Sequence, residues 1–121
     1  MKVLANVLPD ADTIVDAARE TNPCTRPVYF LTWGKRDGDS QNCHVHDVFC
    51  SFEGIQGQLT QAYTTMAYAT QPASVAPAGE AWRNYPDRNT LFDPDGTHPS
   101  ASGTYLTACT ILMTIWPDIR Y

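Results

Sequence analysis

"RPVYFLTWG", residues 26–34, is the stretch on which the fold turns. Its β-branched, aromatic and aliphatic residues follow one another without polar alternation, which is how a strand buried on both faces of a parallel sheet reads. A first strand is therefore predicted over residues 28–33. Upstream, "LPDADTIVDAARETNP" places Ala11, Ile14, Val15 and Ala18 on one helical face, with Pro9 near the first turn and Asn22-Pro23 as the stop. Downstream, "SFEGIQGQLTQAYTTMAYAT" sets Ile55, Leu59, Ala62, Tyr63 and Met66 along one stripe, although Gly54 and Gly57 weaken its first turns. "ASVAPAG", residues 73–79, reads as a second strand ended by Pro77 and Gly79. "PSASGTYLTACTILMTIW" reads as a last helix with Tyr105, Cys109, Leu112 and Trp116 on one face.

Helix, strand, helix, strand, helix contains a βαβ unit, so the fold class is α/β with parallel strands and a right-handed crossover. Two core strands with three helices leave both sheet edges open, and "VYFLTW" would expose backbone and side chains suited to a sheet interior. The pattern reads as half of a domain.

Composition narrows the function classes. A chain of 121 residues holds at most one domain and is small for an α/β enzyme. With 8 Lys and Arg against 13 Asp and Glu, and no basic stripe, it repels phosphates. Nucleic acid and acidic membrane surfaces are poor partners. No apolar stretch is long enough for a transmembrane helix, and "MKVLANVLPDAD" lacks the apolar run of a signal peptide.

Cys43 and Cys50 bracket the short polar loop "CHVHDVFC", which a disulfide staples if its ends return to each other. The rival is a zinc site from Cys43, His46 and Cys50 with His44 or Asp47. It ranks second, because structural zinc usually takes two separated ligand pairs rather than one crowded loop. Unpaired thiols beside solvated histidines are a third reading, suited to a reducing compartment.

Near the other end, "LFDPDGTHPSASGTYL" sets Asp95 and His98 three apart across a glycine, just ahead of a helix. A tight turn with that spacing folds the carboxylate against the imidazole. The carboxylate then fixes the tautomer and stabilises the cation formed when the other ring nitrogen takes a proton from a nucleophile. Such pairs also occur in ordinary polar loops. This one follows a predicted strand, near the crevice where α/β folds bind ligands.

"DPDGTHPSASGTYLTA", "VAPAGEAW" and "YFLTWGKRDGD" together resemble the C-terminal half of SGNH hydrolases, the GDSL-like esterases, in a bacterial secreted branch with a Thr-Trp-Gly segment. The resemblance runs from about Asp10 onward and is most specific at "HPSASGTYL". It implies a flavodoxin-like three-layer parallel sheet, of which residues 1–121 would be a C-terminal part. It implies His98 as general base, Asp95 as its orienting partner, an ester substrate, carbohydrate acetyl esters among the candidates, and no cofactor or metal. The placement of Cys24, Cys43 and Cys109 resembles that branch too, which implies a secreted or periplasmic, oxidised protein. Because Cys24 precedes the first strand and Cys109 is expected to face inward, these two are also expected to lie close.

Gly38, Asp39 and Ser40 spell the opening of that family's nucleophile motif. The family's serine, however, ends the first strand and starts a helix, ahead of the Thr-Trp-Gly segment. Ser40 lies past "VYFLTW" and is followed by "QNCHVHD", which carries no helical stripe. It is read as a loop residue, and the family's Gly and Asn oxyanion donors have no match. Two hypotheses follow: an SGNH-type ester hydrolase whose nucleophile half lies outside this chain, or a non-catalytic remnant or binding module. Trp33 and Gly34 are candidates for a cleft wall or, for Trp33, core packing. Glu80 and Trp82 are read as cleft wall or plain surface. Asp93 is a second-choice partner for His98, and His44 and His46 are read as solvated.

Overall fold

The computed structural model describes residues 2–118, with side chains from residue 7. Its elements in chain order are α1 (Lys2–Thr21), β1 (Val28–Phe30), α2 (Phe52–Ala69), β2 (Ser74–Ala76), α3 (Ala78–Arg83) and α4 (Ala101–Ile115), with single 3-10 turns at Asp47–Cys50 and Arg88–Leu91. The two strands pair in parallel, Val28 beside Ser74, Tyr29 beside Val75 and Phe30 beside Ala76. The α/β class and the parallel pairing follow the sequence expectation.

Both strands are shorter than predicted, and the reason is local. The Leu31 N–H still bonds the Ala76 carbonyl at 3.1 Å. Beyond it the buried Gln56 side chain replaces the ladder: its Oε1 accepts from Gly34 N at 3.0 Å and its Nε2 donates to the Thr32 carbonyl at 3.3 Å. An amide that satisfies both backbone groups ends the strand without leaving orphans. The expectation of burial on both faces fails as well. Val28 and Phe30 share one side of the pleat and are 41% and 42% exposed, while Tyr29 on the other side bonds Thr70 Oγ1 at 2.8 Å.

Among the described residues four helices stand where three were predicted. The extra one, α3, starts directly after Pro77, its N-cap, which was expected to stop a strand. Gly79 makes this possible: a Cβ there would come within 2.1 Å of the Thr32 carbonyl oxygen. The faces of α1 and α4 also differ from expectation. Only Val15 of the α1 face is buried, and Ile14 is exposed. On α4 the buried residues are Gly103 and Thr107, with Tyr105 and Trp116 exposed. The small face wins because α4 presses on Trp82, and a Cβ at Gly103 would stand 2.7 Å from that indole.

The core is aromatic. Phe52, Trp82, Leu91 and Phe92 form one buried cluster, with Trp33 and Leu106 packed against it. Trp82 lies edge-on to Phe92 and donates through Nε1 to Thr107 Oγ1 at 3.1 Å, so even its polar edge is satisfied. No helix among the described residues is long and apolar enough to cross a membrane.

Candidate active site

The segment between the last 3-10 turn and α4 is a tight loop. Its neck is an antiparallel bridge between Phe92 and Pro99, and Asp93 N donates to the His98 carbonyl at 2.8 Å. Inside, Gly96 N donates to the Asp93 carbonyl at 2.9 Å, and Gly96 adopts φ +70°, a left-handed conformation suited to glycine. This turn brings Asp95 back over His98. Asp95 Oδ1 accepts from the backbone N–H of Thr97 and of His98, both at 2.9 Å, which fixes the carboxylate plane. The second oxygen, Oδ2, lies 2.5 Å from His98 Nδ1.

The electrostatics follow from that geometry. The hydrogen bond from His98, helped by the two backbone N–H groups, holds Asp95 far below the usual carboxylate range. Asp95 in turn raises the His98 imidazole above its ordinary value, with the more remote Asp93 charge adding in the same direction. Asp93 thus acts on His98 as a field and not as its partner. The His98 side chain is 74% exposed. Among the described residues no serine hydroxyl hydrogen-bonds to its ring, and two surface grooves, one along Arg83–Asn89 and one between Tyr85 and α4, are lined by neither His98 nor Asp95. Among the described residues its hydrogen bonds run through Nδ1 and the backbone, and Nε2 makes none.

The segment leaving β1 grips the loop from outside. Arg36 N donates to the Gly96 carbonyl at 2.8 Å, and the Trp33 indole Nε1 donates to the Thr97 carbonyl at 3.1 Å. The Arg36 guanidinium is paired with Asp37 at 2.9 Å, and the charges of Asp37 and Asp95 help to raise its pKa. Trp33 is partly buried and stacks on Trp82. Gly34 is buried against α2, where a Cβ would come within 3.1 Å of the Phe52 carbonyl oxygen, so it serves close packing.

The remaining candidates are distributed elsewhere. Glu80 turns to α2, where it bonds Thr60, and pairs within α3 with Arg83 at 3.1 Å. Trp82, read as cleft wall or surface, is fully buried at the centre of the core, because Gly103 lets α4 close over it. Cys43 and Cys50 form a disulfide, so neither sulfur is a free thiolate for the zinc alternative. His46 caps the following 3-10 turn, its Nδ1 accepting from Val48 N at 3.3 Å, and His44 is exposed. The pairing of Cys24 with Cys109 is not formed: both are free thiols, Cys24 in the exposed turn after α1 and Cys109 partly buried on α4. The two helices pack on different partners, α1 on α2 and α4 on α3 and β2.

Ser40 is exposed in a turn held by the disulfide loop and starts no helix. Gly38 there has φ +80°, and a Cβ would fall 2.5 Å from the Cys50 carbonyl carbon, so the glycine of this triplet is set by packing on that loop. Ser100, near His98 in sequence, caps α4 by accepting from Gly103 N at 3.2 Å and donates to the Thr90 carbonyl at 2.6 Å.

Two residues that matter were not singled out from the sequence. Gln56 lies beside the apolar stripe of α2, where a polar residue next to Ile55 was the available signal. Arg36 contributes through its backbone, which no side-chain pattern reveals. No protein-family model, no curated protein and no solved structure matches the chain.

Proposed function

We propose that this chain is the acid-base half of a serine ester hydrolase of the SGNH type, with a flavodoxin-like sheet completed by a segment outside these residues. The observation that carries the reading is the Asp95–His98 contact. Nδ1 is committed to a carboxylate that is itself fixed by two backbone N–H groups, and Nε2 makes no hydrogen bond on a side chain that is 74% exposed, which suits proton transfer with a reacting group. The uncovered Val28 and Phe30 of β1 favour a further strand or helix beside it. The Cys43–Cys50 disulfide suits an exported, oxidised protein.

In this reading a serine Oγ supplied by the complementary segment attacks the ester carbonyl carbon while its proton passes to His98 Nε2. Collapse of the tetrahedral adduct breaks the bond to the alcohol oxygen, which leaves with that proton. Water then attacks the acyl-serine, gives a proton to Nε2, and the carboxylic acid departs as the serine regains it. Asp95 holds the Nδ1–H tautomer throughout and stabilises the transient imidazolium.

A fluorophosphonate probe, which forms a covalent bond with an activated serine, tests the assignment. Labelling is expected when the upstream reading frame, carrying a strand that ends in Gly-Asp-Ser or Gly-Asn-Ser, is joined to this chain, and is expected to vanish with His98→Ala. The isolated chain should stay unlabelled. Labelling of Ser40 in the isolated chain would make residues 38–40 the nucleophile motif instead, and an upstream frame with no such strand would favour the non-catalytic module.

A further inference from the structure

We infer that Trp33 is a positioning residue for His98, acting through its indole N–H on the carbonyl one residue before the histidine; this rests on the reading of His98 as the base. The dyad lies on an exposed loop, where a carboxylate and an imidazole meeting at the surface are ordinarily free to part. What holds this loop at its tip is a pair of bonds from the segment after β1, Arg36 N to the Gly96 carbonyl and Trp33 Nε1 to the Thr97 carbonyl. Only the second comes from a side chain, so only it can be removed without changing the backbone.

Trp33 is suited to the task because it is itself immobilised. Its ring lies parallel to that of Trp82, 4.0 Å away, and touches Phe30 edge-on. Trp82 is fully buried, is bonded to Thr107, and has Gly103 of α4 pressed against it. A continuous line of contact therefore runs from α4 through Trp82 and Trp33 to the Thr97 carbonyl, whose carbon is bonded to the His98 nitrogen. A base must be held to within about half an ångström to be useful, and rigid support of this kind is what supplies that precision. The charges around the ring, Asp95, Asp93 and, beyond them, Arg36 with Asp37, are unchanged by a substitution at residue 33.

The experiment is a nitrogen-15 NMR titration of His98 in the full 121-residue chain, comparing wild type, Asp95→Asn and Trp33→Phe. Phenylalanine keeps a ring on Trp82 and deletes the N–H. Should Trp33→Phe fold poorly, benzothienylalanine at position 33 keeps the indole shape and replaces N–H with sulfur. Val15→Ala, in the remote α1, controls for general loss of stability. The wild type is expected to hold the Nδ1–H tautomer and to titrate above the ordinary 6.5, with Asp95→Asn removing both. Trp33→Phe should move the titration and the tautomer ratio toward those of Asp95→Asn, whereas Val15→Ala should lower the melting temperature and leave them in place. An unperturbed His98 in the wild type would defeat the dyad itself. A perturbed wild type with Trp33→Phe and the benzothienyl variant both unchanged would leave the dyad standing and overturn the role of Trp33.

Discussion

Trp33 and Trp82 lie face to face, ring centroids 4.0 Å apart and planes within 3° of parallel. One indole leaves the end of β1 and the other belongs to α3, so the stack ties the strand exit to the helix that follows β2. Phe92 meets Trp82 edge-on at 4.8 Å and brings the neck of the Asp95–His98 loop into the same cluster.

Trp82→Ala should therefore be the most damaging single substitution in the core. It removes a fully buried indole, its stack and its hydrogen bond to Thr107. A loss of about 3–5 kcal/mol is expected for a truncation of this kind, checked by urea unfolding. A loss under about 1 kcal/mol would mean that α4 does not close over this ring as described.

Gln56→Leu tests the end of β1. The leucine roughly matches the volume but leaves Gly34 N and the Thr32 carbonyl without the amide that satisfies them. About 1–3 kcal/mol is expected for each buried group left unpaired. Amide hydrogen exchange at Gly34 should accelerate relative to residues of α2, and unchanged protection there would contradict the assignment.

How much of this was legible in the sequence differs by element. The order of the apolar run at residues 28–33, the helix after it and the short "ASVA" segment carries the parallel pairing, because a strand-helix-strand unit joins parallel neighbours, while burial of the run on both faces is not met at Val28 and Phe30. The Asp95–His98 turn is legible from its spacing together with its context, since the intervening glycine permits a tight turn and the pair stands between a predicted strand and a helix. The burial of Trp82 was not legible. It depends on Gly103, more than twenty positions later, whose missing side chain admits the indole. The faces of α1 and α4 were misread for a related reason: periodicity marks which residues share a side, and the contact partner decides which side is covered.

The disulfide prediction concerns the loop beside Ser40. Cys43–Cys50 closes a short loop that packs on Gly38 and Asp39, and reduction should cost on the order of 2 kcal/mol and lower the melting temperature. Thiol counting on the oxidised, unfolded chain should find Cys24 and Cys109 alone reactive. Four reactive thiols would contradict the pairing.

The pH dependence follows from the two shifts. His98 has a raised folded value, so its contribution is complete below the ordinary 6.5 and is lost as pH rises through the folded value. Asp95 has a lowered folded value, so its contribution is complete above the ordinary 3.8 and is lost as pH falls through the folded value. The pair therefore stabilises the loop most between those two values. The melting-temperature difference between wild type and Asp95→Asn should be widest in that window and narrow as pH rises through the folded value of His98, with a remainder beyond it from the carboxylate's bonds to the two backbone N–H groups. A difference that grew from pH 6 to 9 would have the wrong sign for this arrangement.

The most direct measurement is the rate of p-nitrophenyl acetate hydrolysis, taken on the isolated chain and on the chain joined to its upstream reading frame, each with and without His98→Ala and Ser40→Ala. Because a base and its orienting carboxylate cannot replace a nucleophile and an oxyanion hole, the isolated chain should hydrolyse at background. The joined protein should turn over the ester, lose this with His98→Ala and keep it with Ser40→Ala. Turnover by the isolated chain that disappears with Ser40→Ala, or turnover by the joined protein that survives His98→Ala, would contradict the account.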